Sequence, residues 1–153
     1  MTIEARLAEL GITLPRPAAP VASYVPVVIA GGFAHVSGQL PFIRGELVTG
    51  RLGEDVDLEL GTRAARACGL MILAQLNAAL GSLDPVERIV KLGAFVNSTP
   101  HFTDQPKVAN GASELLFELL GAAGKHARSA VGVAALPLNA AVEVDAIIAL
   151  APH

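Results

Sequence analysis

Three ionisable residues near the C-terminal end of this 153-residue chain carry its strongest chemical signal. They are Arg128, Glu143 and Asp145, within KHARSAVGVAALPLNAAVEVDAII, residues 125–148. The stretch reads as a closing hairpin, two strands joined by a tight Leu136-Pro137 turn. Alternation in the second strand puts Val142, Val144, Ala146 and Ile148 on one face and Glu143, Asp145 and Ile147 on the other. In the first strand Arg128, Ala130, Gly132 and Ala134 alternate against Ala127, Ser129, Val131 and Val133. Arg128 is therefore expected to share the face of the two acids; whether it meets Glu143 depends on a register these residues leave open. A charge withdrawn from water without a partner is very costly, so such a face needs counter-charges or a ligand. Two readings follow. Arg128 and an acid form a structural ion pair, or Arg128 offers its planar fork to a small carboxylate, with His126 two positions earlier and Lys125 at its edge adding positive charge.

Other reactive types are less well placed. Cys68, the only cysteine, sits among apolar residues at helical spacing and is expected in the core. His35, His101 and His126 lack metal-ligand spacing, so no metal is expected. Ser37 and His35 share a strand face, but VSGQLP is not a strained strand-to-helix nucleophile turn. Gly31-Gly32 has the form of a hairpin turn and lacks the lysine of a phosphate loop.

These residues need a frame. TIEARLAELG places Ile3, Leu7 and Leu10 on one helical face between a Thr2 cap and a Gly11 stop. A proline-bearing connector, ITLPRPAAPVAS, follows. YVPVVIAGGFAHVSGQLP gives two strands about Gly31-Gly32, and a third is expected near Glu46 to Thr49. Asp57 and Gly81 bound a long central helix, ERIVKLGAFVNS is a strand, and TDQPKVANGASELLFELLG is a second long helix ending at Gly121. Gly111 within that helix costs roughly 1 kcal/mol against alanine. The order predicts one α+β domain over residues 1–153, with 1–20 as leading helix and connector, and helices packed on one face of a sheet.

Composition narrows the function. Hydrophobic residues make up 52% and charged residues 16%, yet no apolar run is long enough to cross a bilayer, so the surplus is expected at an oligomer interface rather than in a membrane. A net charge of −3 gives no general attraction to nucleic acid. One cysteine and a charged, amphipathic start suggest a reducing cytoplasm.

The segments ARSAVGVAALP and AVEVDAI, with VSGQLP at 36–41 and a tyrosine ahead of it, resemble the YjgF or Rid family, the reactive intermediate deaminases of the chorismate-mutase-like fold. The resemblance spans nearly the whole chain beyond the leading helix. FVNSTPHFTDQPKVANGASELLFELLG and GKHARSAVG are similar to a branch described as endoribonuclease L-PSP or chorismate mutase-like. The resemblance implies a homotrimer with a cleft at each subunit interface. It implies that Arg128 anchors a substrate carboxylate, that Glu143 positions or activates water, and that Tyr24, Ser37, Asn110 and the backbone around Arg128 and Ala130 line the pocket, to which the reading of the residues adds His126 as a substrate-binding side chain. The implied reaction is hydrolytic deamination of small 2-imino or enamine acids, with no metal or organic cofactor. This chain departs from the family pattern in three places: Ala130 where cysteine is common, His126 where proline is common, and VAS at 21–23 where glycine-proline precedes the tyrosine. A protein that holds a small carboxylate without turnover is a second reading. A ribonuclease is a third, with little support from the charge or from any basic aromatic strip. Chorismate mutase activity would rest on fold analogy alone.

Overall fold

The computed structural model describes residues 1–20 and 22–152. A short helix, α1 (Ile3–Glu9), is capped by the Thr2 hydroxyl accepting from the Ala5 N–H at 3.0 Å, and it buries Ile3 and Leu7. Strands β1 (Val27–Ala30) and β2 (Phe33–Gln39) turn at Gly31 and Gly32, whose φ values of 60° and 82° suit residues without a Cβ. The third predicted strand is shorter than expected and stands apart: β3 (Phe42–Ile43) and β4 (Glu46–Leu47) form a separate two-stranded ribbon.

The central helix α2 (Leu58–Leu80) begins and ends where the sequence indicates. Asp57 accepts from the Leu60 N–H at 2.8 Å, and Gly81 closes the helix in the left-handed conformation. Strand β5 (Val86–Asn97) and helix α3 (Gln105–Leu120) follow, then β6 (Ala127–Val133) and β7 (Val142–Leu150).

The main sheet has the order β1-β2-β7-β5-β6. This corrects the expected closing hairpin. β6 and β7 are not neighbours: β5 lies between them, parallel to β6 and antiparallel to β7. Residues 134–141 form a longer connection containing a short 3₁₀ turn, Pro137–Asn139, rather than a two-residue hairpin turn. The physical reason is the crossover through α3, which delivers β6 to the outer edge of β5 in parallel, while the longer β7 fills the slot between β5 and β2.

Both long helices cover one face of the sheet. The core between the layers joins Cys68, Ile72 and Leu76 of α2 and Val108, Leu115 and Leu116 of α3 to Leu92, Val96, Val144 and Ile148 below. Cys68 is fully buried, as expected. Among the described residues no layer covers the opposite sheet face, which exposes Val28, Phe33 and Val131. No helix among the described residues is long and apolar enough to cross a membrane.

Candidate functional site

Helix α3 presents Pro106, Asn110, Ser113 and Phe117 along one flank, at spacings of three and four residues, toward edge strand β6. Arg128 is paired with Leu92, a core residue, and so projects to the helix-covered face. This is opposite to the sequence expectation, which put it with the acids. Its Nη1 donates to Asn110 Oδ1 at 2.8 Å and to Ser113 Oγ at 3.0 Å, and its Nη2 donates to the Pro106 carbonyl at 3.3 Å. All three acceptors are neutral. None of the ion pairs among the described residues includes Arg128, Glu143 or Asp145, so the structural ion pair does not form within the chain. Three hydrogen bonds fix a guanidinium that has five donors, which leaves two for a ligand.

His126 extends this network. Its Nδ1 lies 2.6 Å from the Gly124 carbonyl, which can only accept, so Nδ1 carries the proton and Nε2 accepts from the Ser113 hydroxyl at 2.8 Å. The polarity runs from Arg128 to Ser113, from Ser113 to His126, and from His126 to Gly124. Burial pushes the His126 pKa down, the Gly124 hydrogen bond opposes that, and the Arg128 charge adds to it. Lys125 stays at the edge of the site, its Nζ 4.7 Å from the centre of the Phe117 ring. A groove of about 530 Å³ opens between α3 and β6, lined by Ser113, Glu114, Phe117, Lys125, His126 and Arg128. Ala130, two residues beyond Arg128 on the same face, packs against the core.

A second group lies on the open face. Glu143 and Asp145 project there, paired in register with Phe95 and Gly93. The pairing of β2 with β7 shifts between Val36 and Gln39, leaving Ser37 and Gly38 in the irregular step. A Cβ on Gly38 would come within 2.5 Å of Glu143 Oε2, and one on Gly93 would overlap Asp145 Oδ1. Two glycines thus make room for two carboxylates lying along the sheet. Burial raises the Glu143 pKa, and the Asp145 charge raises it further. Burial also raises Asp145, opposed by the Gly93 backbone hydrogen bond and by Lys91. The Ser37 hydroxyl donates to the Val25 carbonyl at 2.8 Å, tying down the segment that carries the half-exposed Tyr24. Tyr24 and Gly38 line a small cavity of about 60 Å³ with Gln39 and Leu138.

The predicted residues therefore fall into two groups. Arg128, Asn110, His126 and Ala130 belong to one; Glu143, Ser37 and Tyr24 belong to the other. Leu92 and Phe95 mark the levels of Arg128 and Glu143 on β5, so the two lie three residues apart along the sheet and two strands apart across it. That is roughly 10 Å in each direction, with the sheet itself between them. Sequence reasoning missed Ser113, whose signal was its place on the Pro106-Asn110 stripe of α3. It also missed Gly38 and Gly93, which show only once the strands are paired.

The family model for YjgF/chorismate-mutase-like endoribonucleases matches residues 4–150. The chain belongs to this family. Protein TCP17 of Trypanosoma cruzi is 53% identical over 150 residues, 97% of this chain and 94% of that protein. Among solved structures, Atu1372 from Agrobacterium tumefaciens, a protein of unknown function, is 51% identical and superposes with a TM-score of 0.90 over 97% of this chain and 92% of that one. TdcF from E. coli, solved with bound serine, is 25% identical with a TM-score of 0.62 over 90% of this chain and 94% of that one. Membership in the YjgF family supports a role in processing small molecules.

Proposed function

We propose that the protein hydrolyses small 2-imino acids, and enamine acids that tautomerise to them, in a site completed by a second copy of the chain. The observation that carries this is charge left without an ion-pair partner among the described residues on both sides of one sheet. Arg128 is fixed by neutral acceptors, while Glu143 and Asp145 face outward without a cation in salt-bridge reach among the described residues. Complementary patches on different surfaces of one chain favour head-to-tail association, which closes into a ring. The exposed Val28, Phe33 and Val131 supply apolar area for such an interface. A homotrimer, as the sequence resemblance implies, is the ring we assign.

In this reading Arg128 holds the substrate carboxylate with its two spare donors, and the neighbouring chain brings Glu143 to the imine carbon. Glu143 accepts a proton from water as the C–O bond forms and the C=N electrons move to nitrogen. That proton passes to nitrogen to give the neutral carbinolamine; transfer of the carbinolamine hydroxyl proton to the amino group through Glu143 then lets the C=O bond form as the C–N bond breaks, and a 2-oxo acid and ammonia leave. Such imines already hydrolyse in water unaided, so positioning plus one base contributing about 10²–10⁴-fold is sufficient. The serine held by TdcF has the same carboxylate and three-carbon frame as the simplest such imine.

The test uses 2-iminopropionate generated by an amino-acid oxidase and trapped with semicarbazide. Wild type is expected to compete with the trap, and Arg128→Ala and Glu143→Gln to fail while keeping the wild-type oligomer. Wild type without effect on trapping, at any accessible concentration, would sink the deaminase reading.

A further inference from the structure

A second groove, remote from Arg128 and Glu143, lies on the outer side of α2. The connector at residues 13–18, the β3–β4 ribbon and the helix enclose about 750 Å³, within the usual range for small-molecule pockets. Its floor is apolar, formed by Leu14, Phe42, Ile43, Leu70 and Met71. The floor exists because α2 is apolar on more than one side. Cys68, Ile72 and Leu76 face the sheet and α3, while Ala67, Leu70 and Met71 continue the stripe that starts at Arg63 and Arg66.

The rim is cationic. Arg16, Arg44, Arg63 and Arg66 all line the groove and no aspartate or glutamate does, in a chain with 14 acids and only 11 lysines and arginines. Arg66 has one acidic neighbour, Glu118 at 3.9 Å; Arg16, Arg44 and Arg63 make no ion pair among the described residues. Arg44 also sits at φ 53° in the ribbon turn, a conformation that usually selects glycine or asparagine. A long cationic side chain is held over the groove at some cost to the backbone.

We infer that this groove binds an amphipathic anion, an aliphatic or aromatic body on the apolar floor with a carboxylate or phosphate head among the arginines. Phosphate and carboxylate both match the guanidinium fork, so the head group is left to the experiment.

The experiment titrates the full-length protein with dansyl-labelled undecanoate, followed by displacement with decanoate, decyl phosphate, decanol and decyltrimethylammonium. Saturable binding is expected, displaced by one or both anions about tenfold more effectively than by the alcohol or the cation. The relative strength of the two anions identifies the head. Arg44→Ala with Arg63→Ala, both exposed positions, is expected to weaken binding at least about tenfold, Leu70→Glu to abolish it, and Arg128→Ala to leave it unchanged. The inference is overturned if decanol competes as well as decanoate, if the double arginine variant binds like wild type, if Arg128→Ala removes the site, or if binding fails to saturate below about 1 mM. None of these outcomes depends on imine turnover.

Discussion

Arg128 and Glu143 project from opposite faces of one sheet, with β5 running between the strands that carry them. A single chain cannot close them on one small substrate; two chains in a head-to-tail ring can. Subunit complementation tests this directly. Arg128→Ala and Glu143→Gln chains, each inactive alone, should recover activity when unfolded and refolded together. At equal, random mixing about a quarter of the interfaces pair a wild-type arginine with a wild-type glutamate, so about a quarter of wild-type turnover is expected. No recovery in mixed oligomers, confirmed by tagging one chain, would place both groups within one subunit.

Gly38 should be a functional glycine rather than a structural one. Its φ is not in the left-handed region, and the atoms an added Cβ meets belong to the Glu143 side chain, at 2.5 Å from Oε2 and 2.7 Å from Cδ. The far end of a glutamate gives way easily, so Gly38→Ala is expected to change the melting temperature by only a few degrees while displacing the carboxylate and lowering kcat by about tenfold or more. A kcat equal to wild type would show that the Glu143 position is not critical.

Gly111 makes the contrasting case. The sequence presents it as a helix weakness, and alanine there gains roughly 1 kcal/mol in helix propensity. In the fold it is where α3 meets α2: a Cβ would overlap the Thr62 carbonyl oxygen and sit 3.1 Å from the Arg66 backbone nitrogen. Backbone cannot give way as a side-chain tip does. Gly111→Ala is expected to destabilise the fold by about 2 kcal/mol or more in urea unfolding, despite the better propensity. Unchanged or greater stability would mean that the helices separate freely.

The same contrast separates what was legible in the sequence from what was not. Asp57, Gly81 and Gly31-Gly32 act through neighbours a few residues away, so caps and turn could be read directly. Alternation in β7 correctly assigned Val142 and Val144 to the core and Glu143 and Asp145 to the open face. Arg128 was put on the wrong face because alternation fixes faces only within a strand. The face of β6 is set by its pairing with Leu92, across a crossover of a whole helix, and nothing local in residues 127–133 specifies it. Ser113 was missed for a related reason: its partners, His126 and Arg128, lie 13 and 15 residues away on another element.

His126 offers a test of that network by titration. Its pKa is lowered by burial and by the Arg128 charge, against the Gly124 hydrogen bond, so the folded protein holds the neutral ring where an unfolded chain already binds a proton. Between the folded value and the ordinary 6.5 the unfolded state binds more protons, and stability rises with pH. The contribution is complete above 6.5 and is lost as pH falls through the folded pKa. A proton NMR titration of the His126 ring should give a midpoint below 6.5. Arg128→Ala should move it upward, and Ser113→Ala, which removes the donor to Nε2, should also move it upward because that bond favours the neutral ring. A midpoint at or above 6.5 in wild type, or one indifferent to both substitutions, would dissolve the polarity drawn from Arg128 through Ser113 to His126.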